Sequence, residues 1–120
     1  MSTVADSDKI DIVTSKEEIS EVKLIMVEVR SWKDVDLLEL QEKFKTYLAF
    51  VEEGHLLEQF PKVKGFSVII RLDSVEPPPR SVMKFIDEVK KLWLAPLSIR
   101  FEYGVLSWTS ESGTWDKKHE

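Results

Sequence analysis

The hydrophobic positions at the start of the chain follow a period of two residues, which is the pattern of β-strands. Residues 9–14 and 21–30 both show it, on either side of the polar segment 15–20. The second run is apolar on both faces, because Leu24 and Ile25 belong to opposite alternating sets that are each hydrophobic. Two-sided apolarity is typical of an interior strand. We therefore predict a hairpin whose second strand lies inside a sheet.

The pattern then changes to the period of an amphipathic helix over residues 31–54. The predicted apolar stripe of this helix consists of Leu37, Leu40, Phe44, Tyr47, Leu48 and Val51. Ser31 or Asp34 is a suitable N-terminal cap, and Gly54 fits the position just past the C-terminus. Residues 55–61 then predict a short extra turn.

Two further strands and a second helix complete the pattern. Residues 66–74 and 97–105 alternate between apolar and polar positions, so each predicts a strand with one buried face. Between them, the proline-rich segment 76–79 makes a stiff connection into a helix over residues 80–93. The buried face of that helix is predicted to contain Val82, Phe85, Ile86, Val89, Leu92 and Trp93.

The resulting order, ββαβαβ, predicts a two-layer α/β sandwich. Two helices cover one face of a four-stranded mixed sheet, and the other face stays largely open because its positions are polar. The order of the strands does not follow from these patterns. We expect residues 1–8 to be a disordered tail, residues 9–105 to form a single α/β domain, and residues 106–120 to be a C-terminal tail or an extra edge strand.

Composition narrows the function. The 120 residues contain no cysteine, which excludes disulfides and thiolate chemistry. The net charge of −5, with scattered lysines and arginines, argues against nucleic acid as a partner. The N-terminus lacks the pattern of a secretory signal, and no segment approaches the roughly 20 apolar residues of a membrane span. We therefore expect an acidic, cytoplasmic protein that binds neither nucleic acid nor a membrane.

No motif predicts a catalytic residue, a cofactor or a metal site. The glycines are isolated, so the sequence has no phosphate-binding loop. Glu52 and His55 have the Glu-x-x-His spacing of di-metal helical bundles, but the motif occurs once and spans Gly54. His55 is therefore a candidate binding residue, at the mouth of a pocket between the first helix and the sheet, and not a metal ligand.

The open sheet face offers Arg71, Arg100 and Glu102 as candidate binding residues. If their strands are neighbours, Arg71 can pair with Glu102, or Arg100 with Asp73. Such pairs are ordinary cross-strand salt bridges in one interpretation and a shallow polar binding surface in the other.

Trp108 and Trp115 are large aromatic residues in an otherwise polar C-terminal stretch, and both are candidate binding residues. They could fold back over the open sheet face, extend the last strand into an edge strand, or anchor a partner, since tryptophan is enriched at interface hot spots.

A helix containing Leu-Gln-Glu-Lys and Tyr-Leu-x-Phe-x-Glu-x-Gly is followed by an aromatic-Pro pair and a glycine that opens a strand. The positions that carry this pattern are Leu40, Gln41, Glu42, Lys43, Tyr47, Leu48, Phe50, Glu52, Gly54, Phe60, Pro61 and Gly65. The pattern resembles a small family of uncharacterised bacterial proteins, a domain of unknown function, over about residues 9–103. The resemblance implies a small bacterial α/β domain without an assigned activity.

These observations favour a non-catalytic domain that works through a protein partner or a homodimer. The acidic balance, the open sheet face, the possible edge strands and the tryptophans support that hypothesis. The alternative is a small-molecule-binding or enzymatic domain with a site near His55.

Overall fold

The computed structural model describes residues 4–5, 9–109 and 114–119, and for residues 106–109 and 114–119 it describes the backbone alone. The strands are β1 Ile12–Lys16, β2 Glu21–Glu28, β3 Ser67–Ser74, β4 Arg100–Thr109 and β5 Thr114–His119. The helices are α1 Leu37–Glu52, α2 His55–Gln59 and α3 Arg80–Val89. The four strands expected from the sequence are present, and the backbone of β5 adds a fifth.

The strands lie side by side in chain order, β1-β2-β3-β4-β5. β1 and β2 form the predicted antiparallel hairpin, and β2 is an interior strand as its two-sided apolarity indicates. β2, β3 and β4 run parallel to one another, and β5 runs antiparallel to β4. The prediction of a mixed sheet is therefore confirmed.

The two crossover connections pack their helices against one face of the sheet. α1 connects β2 to β3, and α3 connects β3 to β4. The buried side chains of these two helices and of one face of the sheet form a single hydrophobic cluster. Its members include Leu24, Met26, Leu40, Phe44, Tyr47, Ile70, Leu72, Val82 and Ile86. This is the predicted two-layer sandwich, and the opposite face of the sheet carries no helix among the described residues.

The start of α1 differs from the expectation by two residues or more. Asp36 is the cap, not Asp34 or Ser31: its carboxylate accepts a hydrogen bond from the backbone N–H of Leu38 at 2.9 Å. Glu39 completes a capping box by accepting from the N–H of Asp36 at 3.1 Å. Beyond the far end of α1, Gly54 adopts a φ of +84°, as predicted for a residue that permits this turn.

α3 does not keep one helical period to its end. A π-helical turn over Lys90–Leu94 follows it, and this wider turn shifts which side chains face the core. Leu92 is 60% exposed, whereas Leu94 is buried. The prediction that Leu92 lies on the buried face is therefore wrong.

Part of the N-terminal segment contacts the core. Val4 is buried, and its backbone N–H donates to the carboxylate of Glu28 at 3.1 Å. Most of the other residues expected to form a disordered tail lie outside the described residues, so that expectation stays a prediction.

The capping geometry predicts that Asp36→Ala lowers the free energy of unfolding by about 1 kcal/mol, because the N–H of Leu38 loses its acceptor. Asp34→Ala is the matched control and should change stability by less than about 0.5 kcal/mol. Urea unfolding monitored by circular dichroism measures both values. Equal losses in the two variants would contradict the assignment of the cap.

Candidate functional site

The helix-free face of the sheet carries a network of ion pairs across three strands. Arg71 Nε donates to Asp73 Oδ1 at 2.8 Å, and Arg71 Nη1 donates to Glu102 Oε2 at 2.8 Å. Lys23 Nζ donates to the same Glu102 oxygen at 3.1 Å. Arg71 and Glu102 are direct register partners on the parallel strands β3 and β4. The first of the two predicted pairings therefore forms.

The second predicted pairing does not form. Arg100 pairs with Glu21, two strands away on β2, while Asp73 takes Arg71. The reason is the register, which sets Asp73 opposite Gly104 and Arg100 opposite Ile69. Arg100 is also largely exposed, at 61% of its side chain. Of the three predicted site residues on this face, Arg71 and Glu102 form one cluster and Arg100 lies at its rim.

This face is less open than its polar pattern suggests. Ile69, Arg71 and Asp73 on β3 are each no more than 2% exposed. β3 is the central strand, and the side chain of Lys23 reaches from β2 across it to Glu102 on β4. Long side chains from both neighbouring strands therefore shield β3 from solvent.

The network alters the titration of Glu102. Partial burial alone would raise the pKa of this carboxyl, but hydrogen bonds from Lys23 and Arg71 outweigh it and hold the pKa below its usual range. Glu102 is therefore a carboxylate at neutral pH, and its charge compensates two cations on this face.

One donor of Arg71 is left over. Nη2 is buried and has no hydrogen-bond partner among the described residues. Arg71 also lines a cavity of about 330 Å³ that lies over β2, between the side chains of β1 and β3. The other lining residues are Thr14, Ser15, Lys16, Glu21, Lys23 and Ile25. Arg71 was predicted from the sequence, but Lys16 and Lys23 were not, because their positions at this cavity depend on the order and register of the strands.

His55 lies at a second, more open groove. The groove measures about 560 Å³ and is lined by Ile10, Thr46, Ala49, Phe50, Glu53, His55 and Gln59. It is therefore bordered by α1, α2 and Ile10 in the segment before β1. The imidazole is half exposed and stands 3.5 Å from the Glu53 carboxylate and 3.6 Å from that of Glu58. This arrangement is an exposed polar rim beside the ring of Phe50.

Trp108 and Trp115 are register partners on the antiparallel strands β4 and β5. Their side chains lie outside the described residues, so their role as binding residues stays a prediction.

A second polar network lies on the helix side of the sheet and was not found from the sequence. Lys43 Nζ donates to Asp11 Oδ1 at 2.8 Å, and this lysine side chain is fully buried. Asp11 Oδ2 accepts from the backbone N–H of Val27 at 3.0 Å, beyond the last pair of the β1–β2 ladder. Tyr47 donates to the carbonyl of Ile25 at 2.8 Å, and burial raises its pKa. These contacts fasten α1 to the hairpin.

Glu28 is the other fully buried charge on that side. It accepts from Arg30 through Nε and Nη2, and the pair raises the pKa of that guanidinium. Its additional bond to the N–H of Val4 explains why the end of β2 draws in the N-terminal segment. Both networks satisfy buried charges with partners, which is how such groups are tolerated.

Among the described residues, no group of three or more His, Asp or Glu side chains is placed to hold a metal ion. Within the same part of the chain, no helix has the length and apolarity needed to cross a membrane.

The fold and the ion-pair face together define a small α+β domain with a mixed sheet. The chain belongs to the Family of unknown function (DUF6572), which it matches over residues 1–107. Membership in a family of unknown function, expected from the helix-glycine-strand pattern, is thereby confirmed. No curated protein and no solved structure matches the chain.

The lowered pKa of Glu102 predicts how stability depends on pH. The stabilisation from its ion pairs is present above the unfolded-state pKa of about 4.3 and is lost as the pH falls through the lower folded-state value. Glu102→Gln should therefore lower the free energy of unfolding by about 1–3 kcal/mol at pH 7, and the difference from the wild type should vanish in acid.

Urea unfolding between neutral and acidic pH measures this convergence. Glu88→Gln on the exposed face of α3 is the matched control and should have little effect at any pH. A loss of stability in Glu102→Gln that stays constant with pH would show that the Glu102 charge does not stabilise the fold.

Proposed function

We propose that the protein is a non-catalytic binding domain that pairs with an extended segment of a partner chain along the free edge of β1. The observation that carries the proposal is the position of β1 at the end of the sheet, with no strand on its outer side among the described residues. Unpaired backbone groups at a sheet edge are a template for another strand.

The register identifies which backbone groups point outward. The backbone groups of the odd-numbered residues of β2 point towards β1, because the N–H of Val27 donates to the Asp11 carboxylate. The carbonyl of Glu28 instead points towards β3, because it accepts from the N–H of Val75, the residue that follows β3. Lys23 and Ile25 are therefore the residues of β2 whose backbone groups face Thr14 and Ile12. It follows that the alternate residues of β1, Val13 and Ser15, direct their N–H and C=O groups away from the sheet.

The side chains around this edge also favour binding. Ile12 on β1 is 42% exposed, and Ile19 in the hairpin turn is 56% exposed. Lys16 is the only charged residue of the strand. Charged residues, and lysine above all, are the usual protection of an edge against pairing, and β1 has that protection at one end only. An added strand would cover Ile12 while pairing with Val13 and Ser15.

Ser15→Pro is the direct test of the edge. It removes an outward N–H and places a ring where the added strand would lie, without removing a bond to β2. We expect partner binding to weaken at least about tenfold, which corresponds to a loss of about 1.4 kcal/mol. Affinity capture with the immobilised full chain, followed by titration of the captured partner, measures the change.

Ser15→Ala is the matched control, because it removes the hydroxyl and keeps the N–H, and it should bind as the wild type does. Light scattering on all three proteins shows whether the partner is a second copy of this chain. If Ser15→Pro remains folded and binds as tightly as Ser15→Ala, the partner does not pair with β1.

The groove at His55 supports a second candidate, a small-molecule-binding domain. Its volume of about 560 Å³ lies within the range of ligand sites. A ligand that binds there stabilises the fold by mass action, and His55→Ala should abolish that stabilisation. Thermal unfolding in the presence of a metabolite library measures it, with Leu57→Ala on the same short helix as the control. Ligand-induced stabilisation that survives His55→Ala would place the site elsewhere.

A further inference from the structure

The cavity beside β1 has an excess of positive charge. Lys16, Lys23 and Arg71 line it, and Glu21 is the one carboxylate among its described lining residues. Glu21 is already paired with Arg100. Because the whole chain has a net charge of −5, this surface departs from the average of the protein, and a concave surface of one sign concentrates ions of the other.

Several side chains at this cavity have N–H groups without a hydrogen-bond acceptor among the described residues. Arg71 is 2% exposed, and its Nη2 has no partner among the described residues, so these N–H groups are shielded from water without an acceptor. Lys23 has three N–H donors, and one of them is used by Glu102. Lys16 makes no ion pair within the described part of the chain. An anion in the cavity would supply acceptors to Lys16 and Lys23 and would lie beside the charge of Arg71.

The charge balance and the floor of the cavity indicate the class of anion. When the neighbouring Asp73, Glu102 and Arg100 are included, the cluster retains a single positive charge in excess. That excess matches a monoanion and not a doubly charged phosphate. Ile25, a buried apolar residue, also lines the cavity, and it suits a short carbon chain. The volume of about 330 Å³ is near the lower limit of ligand pockets.

We propose that the cavity between β1 and β3 binds a small carboxylate, with its charged end at Lys16, Lys23 and Arg71 and its carbon chain on Ile25. This site uses side chains, whereas the pairing proposed for the outer edge of β1 uses backbone groups. The carboxylate belongs either to a free short-chain acid or to an acidic side chain of another protein, because both present the same group.

Two-dimensional NMR of the full chain, titrated with propionate at constant ionic strength, tests the site. We expect saturable shifts of the backbone amides of residues 14–16 and of the Nε–H of Arg71. Lys23→Gln should weaken propionate binding about tenfold, because a charge-assisted hydrogen bond is lost. Lys16→Gln should weaken it about threefold, the effect of an exposed charge.

Lys84→Gln is the matched control, since Lys84 is an exposed lysine on α3, which packs against the other face of the sheet. It should bind propionate as the wild type does. Because Lys16 is exposed, its variant keeps the test decisive even if Lys23→Gln does not fold. Shifts that grow linearly without saturation, or that are unchanged in both cavity variants, would overturn the proposal. Inorganic phosphate that binds as tightly as propionate would overturn the assignment to a carboxylate.

A second titration distinguishes the two sources of the carboxylate. N-acetyl-glutamate methylamide carries the acidic side chain of a peptide between two amide groups, and propionate does not. Tighter binding of the amide compound supports a protein as the source, and tighter binding of propionate supports a free acid. Failure of both compounds to bind would overturn the site while leaving the pairing at β1 untouched.

Discussion

The placement of both crossover helices on one face of the sheet is the constraint on which the rest of the structure depends. β2, β3 and β4 are adjacent and parallel, and each connection is a helix that returns the chain to the same end of the sheet. Such connections are right-handed, so successive steps in one direction across the sheet put α1 and α3 on the same side. The other side must then shield the central strand β3 without a helix.

The network around Arg71 is the solution to that problem. Burying a guanidinium and a carboxylate side by side costs desolvation, which is offset only when their hydrogen bonds are made at good distances. Arg71 meets this condition with Asp73 on its own strand and Glu102 on the next. Lys23 closes the network from β2. A polar set on a central strand can therefore be almost fully buried, and Arg71, whose Nη2 stays unmatched, also lines a cavity.

Local patterns were sufficient for the elements and for the faces of the sheet. The alternation of β3 and β4 identified Arg71 and Glu102 as neighbours of the right charge, because a period of two fixes the face of each residue. Whether Arg71 pairs with Glu102 or Arg100 pairs with Asp73 depended on the register of two parallel strands, which is set by a crossover of some 25 residues and its packing. No pattern within either strand contains that information.

Lys43 escaped sequence reasoning because its partner is distant along the chain, whereas the Asp36 cap and the exposure of Leu92 have local causes. Lys43 lies among charged helix residues that suggest a solvated face, and it is buried because Asp11, 32 residues earlier, is brought against it. Asp36, and not Asp34, is the cap because Glu39, three residues later, completes a capping box. The Asp-x-x-Glu spacing of this box is a local signal that the sequence contains. Leu92 is exposed because the π-helical turn that follows α3 shifts which side chains face the core.

The edge of β1 and the neighbouring cavity share the same short stretch of chain. Thr14, Ser15 and Lys16 form the cavity wall, and Ser15 also directs its backbone groups outward from the sheet. A carboxylate bound to Lys16 would restrict the motion of β1, so β1 would lose less conformational entropy when an added strand pairs with it. Coupling of this kind is reciprocal: the strand would raise the affinity for the carboxylate by the same factor. The two surfaces, although they use different atoms, would then act as one regulated binding face.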